Sequence, residues 1–279
     1  MKKYLVAVFM IIFLYASCRS SSPSTSTNGG GTGNSNQHQN NPVTPLSYPK
    51  PEVDFNAPVL DLSSTDDSDT ISNFLADCIG VVKNESEFIE KLFVADEDFD
   101  DLTSTGNNTW RGDDFSVVVS KATDYTYLNF SFDIVSGVGS ERTLLKIKND
   151  RSYAEVVAYQ NGSPYITARA NFQNNGEKGE VMRYGGYFEE LAAILTYSSD
   201  STSDTGKVEL YQNGKMGGEV TLSEDDQSNP TWGECVQRSI YEGSLLLDGY
   251  LKWNMGHGEY HIIFRNSDGS INQELKGKF

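Results

Sequence analysis

The string His257-Gly258-Glu259-Tyr260-His261 is the first place where residue types and spacing could do chemistry. On a straight strand, residues i, i+2 and i+4 share a face, so two imidazoles and a carboxylate could hold a transition metal there. Gly256 and Gly258 flank His257, however, which places His257 in a turn and leaves only Glu259 and His261 on the strand. A second set of carboxylates, Asp96, Asp98 and Asp100, has the spacing that opens a calcium loop. The sixth position of such a loop should be glycine and is Asp101; the twelfth should be glutamate and is Asn107. An EF-hand is thereby excluded, and a weak calcium site or a solvated acidic linker remains. The sequence has no nucleophile elbow, phosphate-cradling loop, zincin helix or paired CxxC motif. Gly137-Val138-Gly139 lacks the further glycine and the helix of a dinucleotide site. The expectation is a non-catalytic protein with no cofactor beyond weak calcium.

The three cysteines carry a different chemistry. Lys2 and Lys3 precede an apolar run of ten residues, Leu5 to Leu14, and small Ala16 and Ser17 then precede Cys18. An apolar run this short is a signal-peptide core, since a spanning helix needs roughly 20 residues. Leu14-Tyr15-Ala16-Ser17-Cys18 resembles the lipobox of bacterial lipoproteins, with Tyr15 where leucine is commonest. That resemblance implies cleavage before Cys18 and acylation of its thiol and amine, with each buried CH₂ contributing about 0.8 kcal/mol to membrane anchoring. Arg19 stands where inner-membrane lipoproteins often carry aspartate, so the resemblance also implies the outer membrane. With Cys18 acylated, Cys78 and Cys235 remain as an even pair. In an oxidising compartment they are disulfide candidates, and a bridge closing so long a loop would contribute about 4–5 kcal/mol. Two separately buried thiols are the alternative.

Residues 19–50 are Ser, Thr, Gly, Asn, Gln and Pro with almost nothing to bury, the composition of a flexible tether. The organisation expected is a signal peptide over 1–17, a lipidated cysteine and tether over 18–58, and one β-rich domain over 59–279 with helices near 66–94. Ile71, Phe74, Leu75 and Cys78 recur at helical spacing, and Asn84-Glu85-Ser86-Glu87 looks like the capped start of a second helix after Gly80. Beyond Trp110 the pattern becomes strand and turn. Thr126, Leu128, Phe130, Phe132 and Ile134 alternate with Tyr127, Asn129, Ser131 and Asp133, and Asn161-Gly162 and Asn213-Gly214 are hairpin signals. About ten closely spaced strands predict an antiparallel β-sandwich or barrel. Leu195-Thr196-Tyr197 with Gly206 to Lys215 resembles the hairpin of laminin-G-type, lectin-like jelly rolls over about twenty residues.

A formal charge of −17, from 22 basic and 39 acidic residues, opposes nucleic-acid and anionic-lipid surfaces. The expected partners are the membrane, through its anchor, and an unknown protein, glycan or lipophilic ligand. Trp232, in a polar loop after Asn229-Pro230, is the aromatic expected to be partly exposed and available as a ligand platform. The anchor has a direct test in a lipoprotein-processing bacterium. The chain should incorporate labelled palmitate and sediment with membranes, whereas Cys18→Ser should lose the label and appear in the soluble fraction. A palmitate label that survives Cys18→Ser would overturn the assignment.

Overall fold

The computed structural model describes residues 55–93, 102–185, 189–225 and 228–279. Among these residues one α-helix, α1 (Ser68–Leu92), precedes fifteen strands. In chain order these are β1 (Thr103–Gly106), β2 (Thr109–Arg111), β3 (Phe115–Lys121), β4 (Tyr125–Phe132) and β5 (Arg142–Lys148). There follow β6 (Tyr153–Gln160), β7 (Ser163–Gln173), β8 (Lys178–Gly185), β9 (Glu190–Ser199) and β10 (Ser203–Gln212). The last five are β11 (Lys215–Asp225), β12 (Trp232–Tyr241), β13 (Ser244–Asn254), β14 (His257–Arg265) and β15 (Ile271–Lys278). All belong to one sheet in sequential order, and the pairs are antiparallel throughout. This corrects the expected strand number, and it replaces sandwich or closed barrel with a single open meander, since β1 and β15 do not pair. No strand crosses over as a jelly roll would require. The Asn-Gly tips fold as anticipated: Asn161 and Gly162 have φ of 51° and 74°, and Asn213 and Gly214 have 51° and 70°, the left-handed pair of a tight hairpin turn.

The helical segment is also one piece. Ile71, Phe74, Leu75, Cys78, Val82, Ile89 and Leu92 form an unbroken buried stripe, so Gly80 and Asn84 lie inside the helix. Of the polar residues read as a cap, Asn84 is exposed while Glu85 and Ser86 point inward for another reason. Glu85 makes a bidentate ion pair with Arg183 of β8, at 2.6 and 2.9 Å, with both side chains nearly buried.

α1 runs across the strands. Near its start Asp67 accepts a 2.6 Å hydrogen bond from Tyr260 of β14, and Phe74 lies over Gly249 of β13. Farther along, Val82 packs on Gly206 of β10, Glu85 meets β8, and Phe93, just past the helix, stacks edge-on with Phe172 of β7. The lengths agree: 25 residues make about 37 Å of helix, and seven strand spacings make about 34 Å. Such a close crossing needs glycine beneath it. A Cβ on Gly206 would come within 2.6 Å of Val82, and one on Gly249 within 2.7 Å of Phe74. Elsewhere on this face rings fill the gap beside a paired glycine, as Tyr197 does at Gly179, Trp253 at Gly233 and Tyr260 at Gly277.

One helix about 10 Å wide covers only a band of this sheet. Yet Val117, Leu128, Leu145 and Val156, on β3–β6, are fully buried and share one contiguous core with the helix stripe. The sheet therefore coils about its own inner face, as twist accumulates over many strands. Phe55, four residues before the expected domain start, is already core, packed on Gly206.

Three substitutions should sort by sign in denaturant titration. Gly206→Ala should destabilise by about 1–3 kcal/mol through overpacking, and Glu85→Ala by about 3 kcal/mol through the broken buried pair. Gly80→Ala, with open space around its Cβ, should stabilise by up to about 1 kcal/mol. A neutral Gly206→Ala would contradict the crossing.

Candidate functional site

With the inner face consumed by α1 and the core, functional side chains are sought on the opposite, outer face. Alternation along each strand puts them there: Trp232, Glu234, Val236 and Arg238 point outward on β12, between buried Gly233, Cys235 and Gln237. Asp248, Tyr250 and Lys252 do the same on β13, and His257, Glu259, His261 and Ile263 on β14. Register then aligns them in cross-strand rows. Val236 pairs with Tyr250 and Tyr250 with His261; Glu234 pairs with Lys252 and Lys252 with Glu259. Glu219 pairs with Arg238 and Arg238 with Asp248.

These rows line a shallow, open depression of about 490 Å³ over β12–β14. Several of its polar groups are held by ion-pair partners. Arg238 donates to Glu219 at 2.9 Å and to Asp248 at 3.2 Å, and these two carboxylates keep its guanidinium firmly charged. Lys207 on β10 extends the chain of charges, binding Glu209 at 2.6 Å and Glu219 at 3.2 Å. That contact raises Lys207 above the ordinary lysine range and, together with Tyr211, lowers Glu209 below the ordinary carboxylate range. Tyr250 is 39% exposed and meets the His261 ring edge-on at 6.2 Å, while His261 Nε2 lies 2.9 Å from Glu274.

Trp232 stands at one end of this surface, in the row Trp232–Asn254–His257, and is 41% exposed. Its backbone is pinned by buried Asp225, which accepts from Trp232 N at 3.2 Å and from the Thr231 hydroxyl at 2.7 Å. Two further exposed apolar side chains lie beside it. Met255, 73% exposed at the β13–β14 turn, is tied to Thr231 by a 2.6 Å backbone bond. Val59, 74% exposed, is held by Asn229 at 3.2 Å and runs over Gly256, to whose carbonyl Asp61 N donates at 2.8 Å. The Ser63 hydroxyl and amide, then the nearby His257, hold the Asp61 carboxyl below its ordinary value.

The structure places the other candidates as follows. His257 opens strand β14 instead of lying in the turn, so His257, Glu259 and His261 do share the outward face. They do not converge: i and i+4 on a strand stand about 13 Å apart, and donors around one ion must each lie near 2 Å from it. Among the described residues no three His, Cys, Asp or Glu side chains form a metal-holding group. Asp96, Asp98, Asp100 and Cys18 lie outside the described residues. Cys78 and Cys235 are both fully buried and adjoin one another, α1 against β12. Tyr250, Arg238 and Met255 escaped sequence reasoning. Outward alternation along Trp232, Glu234, Val236 and Arg238 on β12, and along Asp248, Tyr250 and Lys252 on β13, is the signal that would have exposed Arg238 and Tyr250.

No family model matches the chain, and no curated protein matches it in sequence. Among the described residues, no helix is long and apolar enough to cross a membrane.

The exposure of Trp232 has a spectroscopic test. Trp110 and Trp253 are buried, so acrylamide should quench one of the three tryptophan emitters readily, and Trp232→Phe should abolish that fraction. Undiminished quenching in Trp232→Phe would show that another tryptophan carries the exposed surface.

Proposed function

We propose that this chain is a lipid-anchored binding protein of the bacterial outer membrane, that its folded part is non-catalytic, and that it takes its ligand on the outer face of β11–β14. The carrying observation is the pair of exposed rings, Trp232 and Tyr250, flanking a depression in which Arg238 and Asp248 are already paired. Exposed rings offer apolar platforms, and carboxylates and guanidinium groups held in register offer paired hydrogen-bond acceptors and donors. A polyhydroxylated ligand uses both, stacking a ring face and bridging the charges with its hydroxyls. The ligand class this favours is therefore a saccharide. Trp232 pairs with Asn254, four residues from Tyr250 along β13, so the rings are roughly 13 Å apart along the strand. That span suits an oligosaccharide better than a single sugar. An enclosed small-molecule site would instead be deep and largely apolar.

The tether supports the same reading. The Ser-, Thr-, Gly- and Asn-rich composition of residues 19–50 is that of a linker, which a membrane-anchored binding face needs for reach. A carrier of an acyl chain would need an open apolar cavity between helix and sheet. The described inner-face side chains pack into one cluster instead, so the outer face is preferred.

Calorimetric titration of the full chain with a panel of neutral and acidic oligosaccharides tests this. At least one should bind, and Trp232→Ala should weaken it about tenfold or more with little change in Tm. Arg238→Ala should weaken it too. Binding untouched by both variants would overturn the outer-face site, and co-purifying lipid with no oligosaccharide bound would favour a carrier.

A further inference from the structure

Cys78 and Cys235 come from opposite ends of the folded chain and meet where α1 crosses β12. Both are free thiols in the structure, each fully buried, and they neighbour one another across α1 and β12. The nearest polar atom recorded for Cys78 Sγ is Gln237 Oε1, at 3.7 Å, on the next inward position of the same strand. Cys235 itself lies between cross-strand partners Leu222 and Leu251, both fully buried.

Two reactive roles for such a pair fail here. A nucleophilic or exchanging thiol needs a cation or helix N-terminus to hold its thiolate, together with some exposure. Cys78 is buried mid-helix, and the neighbouring Cys235 sulfur, burial and Asp77 all disfavour its thiolate. A zinc site needs further ligands, and no third metal-binding side chain joins the pair among the described residues.

We propose that Cys78 and Cys235 are a native disulfide site, closed during folding, that fastens α1 to strand β12. The bond forms by exchange with a disulfide-bearing oxidant, either a small-molecule or a protein disulfide. One cysteine thiolate attacks the oxidant and releases its first thiol. The second thiolate then attacks the mixed disulfide and releases the second. Two electrons pass from the cysteine pair to the oxidant's sulfur–sulfur bond, and the two thiol protons go to its leaving sulfurs. Because both sulfurs are inaccessible once α1 has docked, exchange belongs to the stage before docking. The same burial then shields the finished bond from reductant.

Refolding distinguishes this from two buried thiols. The full chain carrying Cys18→Ser is unfolded and reduced, then refolded in a glutathione redox buffer, denatured and alkylated without reduction. The expected product is lighter by two hydrogens, takes no alkyl group, and yields one linked peptide pair containing Cys78 and Cys235. Its Tm should exceed that of the reduced protein by roughly 10 °C. Native reduced protein exposed to oxidised glutathione without unfolding should stay reduced. Alkylation of both cysteines after oxidative refolding, or a linked product that melts below the reduced one, would overturn the proposal.

Discussion

The fold depends on one close contact, that of a long helix laid across strands instead of along them. A helix crossing strands presents its stripe to many chains in turn, and each must leave room for it. Gly206 and Gly249 do so directly beneath Val82 and Phe74. Where the stripe turns polar, at Glu85, the sheet answers with Arg183. Burying a charge pair is costly unless its geometry is good, and this one is bidentate. The helix is thus part of the core of the sheet, and the strands it spans include those carrying the proposed site.

That arrangement divides the sheet by face. Inward positions on β7–β14 hold mostly glycine, aliphatic side chains and rings that pack under α1 or over a paired glycine, with Arg183, Cys235 and Gln237 facing the helix side too. Outward positions on the same strands carry the ion pairs of Glu219, Arg238 and Asp248, along with Tyr250 and Trp232. Exposed pairs of this kind add little stability, typically 0–1 kcal/mol each. Their consequence is order: side chains already paired lose less freedom when a ligand arrives. A rigid inner face supports a preorganised outer one.

Much of this was legible in the sequence, for reasons that are local. Strand β6 shows clean alternation because apolar side chains fill its inward positions, β4 alternates from Thr126 to Phe130, and the Asn-Gly tips mark the β6–β7 and β10–β11 hairpins. By contrast, β8 and β12 place Gly179 and Arg183, or Gly233 and Gln237, at inward positions, so alternation fails where the helix or a ring supplies the missing bulk. The same effect broke α1 in two on paper, because Glu85 pairs across to β8 and cannot show that within its own segment. Cysteine arithmetic left Cys78 and Cys235 as either a pair or two separately buried thiols, because which strand faces the helix at Cys78 depends on long-range packing. Trp232 stood out by its polar loop, but its row with Asn254 and His257, and the depression beyond, depend on register between strands.

Hydrogen–deuterium exchange of the full chain tests most directly whether α1 is structural core beneath a binding face. The account predicts that α1 amides exchange only with global unfolding, at the same rate as those of β10–β13. Fast exchange of α1 with β10–β13 still protected would contradict it, showing a hinged helix above an openable cavity.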